Sequence, residues 1–86
     1  MSTYEPTNKE LMEMVNRRKQ ADAEFRRMLL ANIWNEVQNY VQMMLEQALA
    51  QAGVRWTSQK MSQMVKSVMD WVRNTFGQEK KGTGSV

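Results

Sequence analysis

Eighty-six residues with a formal net charge of +3 make one small domain with a modest core. The chain holds neither cysteine nor histidine, which excludes disulfides, thiolate metal sites and cysteine nucleophiles and removes the commonest general base and metal ligand. With Asp and Glu scattered as well, the expectation is a non-enzyme with no metal and no cofactor, and no stretch approaches the roughly 20 apolar residues that span a bilayer.

Residues 1–6 form a short, polar lead that carries Tyr4 and Pro6 and has no run of signal-peptide length. A cytoplasmic protein is expected, in a bacterial host. Thr7 with Glu10 fits a capping box, so a helix starts here. From Thr7 to Ala52 there is no glycine and no proline, and apolar residues recur at helical spacing. The pattern predicts one long helix over 7–52, roughly 70 Å in length. Asn32 is its weakest link, because Asn can cap a new helix. A break there would give a three-helix bundle; continuity, or at most a kink, is expected, since good helix formers flank it.

Gly53 suits the left-handed position that ends a helix. Residues 53–57 are the connection, and Thr57 or Ser58 caps a second helix over 58–76. Met61, Val65, Val68, Val72 and Phe76 line one stripe of it. Gly77 stops the helix, and residues 78–86 are expected to be a disordered tail. The predicted fold is therefore all-α, a helical hairpin domain over 1–77 with a long helix and a shorter antiparallel one. A short helix leaves the stripe of Leu11, Met14, Val15, Ala21, Phe25, Met28 and Leu29 without a partner. That stripe calls for other copies of the chain, hence a symmetric homo-oligomer.

Two places carry cationic and aromatic groups. In the first, Tyr4 faces the run Arg17-Arg18-Lys19 if the lead folds back along the first helix. A ring stacks on a nucleobase, and Lys and Arg bind phosphate oxygens. Three consecutive residues cover about 200° of helix surface, so they cannot all face one ligand. A solvated polar face, with the tyrosine packed on a neighbour, explains the same residues. In the second place, Arg55, Trp56, Lys60 and Gln63 surround the start of the second helix, where backbone N–H groups and the dipole favour anions. There the competing explanation is a tryptophan that staples the connection to the core. The nine methionines read as adaptable core filler. Residues 49–61 only faintly match a helix-turn-helix, with Gln59 where an apolar residue is wanted, so no DNA binding is expected.

Tyr4, Glu10, Asn16, Lys19, Ala23 and Glu24 near the N-terminus, and Arg55-Trp56, Met64, Lys66, Met69, Arg73 and Phe76 near the C-terminus, match another family at the same spacing and without gaps. On these residues the chain resembles the small phage proteins that sequester the cyclic oligonucleotide messengers of CBASS immunity. Their helical-hairpin domain is shared with an anti-Thoeris sponge family. The resemblance implies a homo-oligomer, hexameric in the family, that binds messengers without cleaving them. It implies a cyclic-dinucleotide site in which Tyr4 stacks on a base and Lys19 meets phosphate, with Asn16 and Arg18 as further contacts. Some members also bind cyclic trinucleotides where three hairpin ends converge, which here involves Arg55 and Lys60. Two other classes fit the composition: a small helical protein–protein inhibitor or adaptor, and a basic helical nucleic-acid-binding protein using residues 17–27.

Overall fold

The computed structural model of the chain describes residues 5–77, and all regular structure among them is helical. Four helices follow in order: α1 Asn8–Ala21, α2 Ala23–Leu30, α3 Trp34–Ala52 and α4 Ser58–Val72. A π-helical turn, Arg73–Gly77, continues α4. The all-α expectation holds. The uninterrupted helix over 7–52 does not: three helices occupy that segment. The expected disordered tail lies outside the described residues.

The start of α1 is the expected capping box. Thr7 Oγ1 accepts from the Glu10 N–H at 3.1 Å, and Glu10 Oε1 accepts from the Thr7 N–H at 2.8 Å. The first break falls at Asp22, whose extended backbone (φ −123°, ψ 108°) ends α1 and begins α2 at once. Its N–H donates to the Arg18 carbonyl at 2.8 Å, and its Oδ1 accepts from the N–H groups of Glu24 (2.9 Å) and Phe25 (3.4 Å). One aspartate thus satisfies backbone groups on both sides of the joint, which an uncapped break would leave unpaired. Arg26 ties the joint from the other side. Its Nη1 donates to the Lys19 carbonyl at 2.8 Å and to the Gln20 carbonyl at 3.3 Å, covering the end of α1.

The second break is at Asn32, the weakest link, where continuity or at most a kink was expected. Asn32 does not cap the following helix; it terminates the preceding one in the left-handed conformation, φ 57°. The Asn32 N–H donates to Leu29 and the Ile33 N–H to Met28, both at 3.1 Å, which is the Schellman arrangement. Gly53 closes α3 in the same way at φ 73°, with its N–H on Ala50 (3.1 Å) and the Val54 N–H on Leu49 (2.9 Å). Asparagine is the residue other than glycine that best tolerates this backbone region, so the two ends share one geometry.

The breaks let the chain bury its own stripe. α3 packs on α2 and α4, α1 packs on α2 and α4, and the π-helical turn packs on α2. The core unites Leu11 and Val15 of α1, Phe25, Met28 and Leu29 of α2, Val37, Val41, Met44 and Leu45 of α3, and Val65, Val68, Met69, Val72 and Phe76. Phe25 and Val37 are fully inaccessible to water. Most of the apolar residues of 11–29 that were expected to need a second copy are buried within one chain: Leu11, Val15, Phe25, Met28 and Leu29, with Met14 half-buried and Ala21 exposed. They therefore supply no reason for an oligomer. No helix among the described residues is long and apolar enough to cross a membrane.

Candidate functional site

Three of the cations that the sequence places in one basic segment have partners within the chain, and two of them, Arg18 and Arg26, hold the α1–α2 joint. Arg18 Nη1 donates to the Tyr40 hydroxyl at 3.0 Å, with its guanidinium carbon 5.6 Å from the ring centroid. The Tyr40 hydroxyl in turn donates to Asp22 Oδ2. Its ring stacks on Phe25, with centroids 4.6 Å apart. Arg26 holds the carbonyls described above, and Arg27 pairs with Glu24 one turn back on α2. The Tyr40 hydrogen bond, joined by the backbone N–H groups of Glu24 and Phe25 and by the nearby Arg18 charge, holds the Asp22 carboxyl below the usual carboxylate range. Burial, followed by the bond to Asp22, pushes the Tyr40 phenol above its ordinary value.

The residues of the first expected site do not converge as a group. Arg18 is turned toward α3. Lys19 is half-buried on the opposite side, with its ammonium 4.3 Å from the Phe76 ring centroid in the π-helical turn. Phe76 also meets Trp71 edge-on at 5.8 Å. Asn16 lies one turn before Lys19 on the same face of α1 and is exposed. Asn16 and Lys19 thus share one face of α1, while Arg18 is turned to α3. Tyr4 lies outside the described residues.

The second expected site overlaps, at Arg55 and Trp56, an open cleft of ≈ 590 Å³ at the α3–α4 end of the bundle. Its α3 wall is Gln42, Glu46, Leu49 and Ala50, spaced so that they share one face. The connection adds Val54, Arg55 and Trp56, and the start of α4 adds Ser58, Met61 and Ser62. Leu49 and Val54, paired by the hydrogen bond that closes α3, form its apolar floor. Arg55 is exposed and Trp56 half-buried, so a cation and an aromatic face border the same space. Thr57 Oγ1 accepts from the Lys60 N–H at 3.1 Å and starts α4 beside it. Lys60 itself is turned away. Its ammonium lies 2.8 Å from Glu5 Oε2 and 5.4 Å from the Trp56 ring centroid, which steadies the ring from outside the cleft.

Two groups in the cleft were not singled out from sequence. Glu46 places a carboxylate on the α3 wall, and Gln42 Nε2 donates to it at 3.3 Å. Their spacing from Leu49 was visible; that this face meets the connection was not. Asp22 and Tyr40 were missed likewise, because their pairing spans 18 residues. Among the described residues no group of three or more acidic side chains could hold a metal ion. Among the described residues the exposed large apolar side chains are Leu30 on α2, at 59 %, and Met43 on α3, at 38 %. Comparison with known proteins finds no matching family model, no matching curated protein and no matching solved structure.

Proposed function

We propose that this chain binds cyclic oligonucleotide messengers of the CBASS type and sequesters them without catalysis, as a phage anti-defence protein acting in the bacterial cytoplasm. The observation that carries the proposal is the cleft at the α3–α4 end, where Arg55 and Trp56 border one space large enough for a nucleotide. A guanidinium suits phosphate oxygens, and an indole face suits a base. The spacing of Tyr4, Asn16 and Lys19 supports a further site for cyclic dinucleotides along α1, with Lys19 on phosphate and Tyr4 on a base. Assembly into a homo-oligomer, a hexamer by the family resemblance, belongs to the proposal and would bring several hairpin ends together.

The commitment of Arg18, Arg26 and Arg27 to intramolecular partners argues against the rival use of 17–27 as a basic nucleic-acid-binding face. That Leu30 and Met43 are the only exposed large apolar side chains among the described residues argues against a broad apolar docking face. Native mass spectrometry of the protein with a panel of cyclic di- and trinucleotides tests the proposal. Stoichiometric ligand, recovered chemically intact after denaturation, is expected. Lys19→Ala and Tyr4→Ala should each weaken cyclic-dinucleotide binding at least tenfold, and Arg55→Ala should weaken ligands that use the cleft. Indifference to the whole panel would overturn it.

A further inference from the structure

Resting on the proposed nucleotide binding, we infer that Glu46 makes the α3–α4 cleft selective for guanine. The puzzle is the carboxylate itself. A cleft that takes an anionic ligand at Arg55 and Trp56 also holds a negative charge on its α3 wall. Opposite a phosphate that charge would repel. Opposite a base it discriminates.

An ionised carboxylate only accepts hydrogen bonds, and its two oxygens accept side by side. Guanine shows two adjacent donors on its pairing edge, the N1–H and the exocyclic amine, so one carboxylate takes both in charge-assisted bonds. Adenine shows one donor beside a bare N1 lone pair, which would face a carboxylate oxygen. Cytosine has the same defect, and uracil offers a single donor flanked by acceptors. Glu46 lies seven residues before Gly53, so it stands roughly 10 Å along the helix from the turn that leads to Arg55 and Trp56. That separation suits a nucleotide with its base edge at Glu46, its ring near Trp56 and its phosphate toward Arg55. Gln42, on the same face one turn earlier, donates to Glu46 at 3.3 Å and orients the carboxylate. A site that hydrogen-bonds its ligand in this way rejects analogues strongly, because a mismatch leaves its own polar groups unpaired.

The test is isothermal titration of cyclic di-guanylate and cyclic di-adenylate, and of the matching cyclic tri-guanylate and tri-adenylate, into wild-type protein and into Lys19→Ala, Lys19→Ala/Glu46→Gln and Lys19→Ala/Arg55→Ala, the Lys19→Ala change removing the proposed α1 site from the readout. With Glu46 in place, the Lys19→Ala protein should prefer the guanine member of a pair at least tenfold. Glu46→Gln should abolish or invert that preference, because an amide offers one donor and one acceptor, the pattern that adenine complements. Glu46 is exposed, so this variant should keep the wild-type helical circular dichroism. Equal binding of the paired ligands, or a preference untouched by Glu46→Gln, overturns the inference and leaves sequestration standing. So does binding that Arg55→Ala and Glu46→Gln both leave unchanged. Failure of all four ligands to bind the wild type overturns the inference and the proposed function together.

Discussion

Phe25→Ala tests whether the basic first half of the chain folds back into the core of its own molecule. Phe25 is fully inaccessible, and its ring stacks on Tyr40 at 4.6 Å. Truncating a phenylalanine buried in this way costs about 3–5 kcal/mol, as lost transfer energy plus the cavity left behind. The stacked pair contributes about 0.5–1.5 kcal/mol of that range beyond its area. A chain of 86 residues has a total stability of roughly 4–13 kcal/mol. The variant should therefore lose a large part of its stability, and at an m-value of about 1 kcal/mol/M its urea midpoint should fall by about 3 M or more. Phe25→Leu retains most of the volume and should cost only about 1–1.5 kcal/mol, which keeps the measurement usable if the alanine variant unfolds. Leu30→Ala, at a side chain 59 % exposed, is the control and should stay within about 0.5 kcal/mol. The assay is urea denaturation followed by tryptophan fluorescence at two protein concentrations. A Phe25→Leu effect as small as the Leu30 control, or one that disappears as protein concentration rises, would refute an intramolecular core. The second result is what a continuous helix covered by other copies would give.

Further outcomes are expected at four residues. Asn32→Ala should lower stability by about 1 kcal/mol in thermal or urea unfolding, because alanine resists the left-handed backbone at φ 57°. Asn32→Gly should be at least as stable as wild type, since it accepts that backbone and removes a buried Oδ1 that has no hydrogen-bond partner. Asp22 has a folded pKa below its ordinary 3.8, so its contribution is complete above that value and fades as pH falls through the folded pKa. Urea midpoints measured from pH 7 down to pH 2 should drop less in Asp22→Asn than in wild type. Tyr40 is raised, so its contribution is complete below pH 10.0 and is lost as pH climbs through its folded pKa; Tyr40→Phe should flatten that alkaline limb. Thr57→Ala removes the hydroxyl that caps α4 and should cost about 1 kcal/mol by the same denaturation assay.

The sequence by itself determined the parts of this protein whose causes are local. The capping box at Thr7 and Glu10, the closure of α3 at Gly53 and the cap at Thr57 all stand where residue type and spacing put them. The stripe from Val65 to Phe76 is buried, although a π-helical turn replaces the last turn of the expected helix. The breaks at Asp22 and Asn32 depended on distant residues. On a straight helix Phe25 would point roughly 80° away from Val15, and Val37 roughly 80° away from Leu29. Interrupting the helix resets that phase and brings all four into one core. Without glycine or proline, the local preference against a break is a fraction of a kcal/mol per residue. Burying Phe25 and Leu29 outweighs it, at about 1.5–3 kcal/mol for each large side chain. The same long-range packing redistributed the cations. Arg18 found Tyr40 and Arg26 found the end of α1, so these two cations of the basic segment fasten the joint. It also set Glu46 on the wall of the cleft that Arg55 and Trp56 border, because only the packing of α3, the connection and α4 puts those three residues around one space.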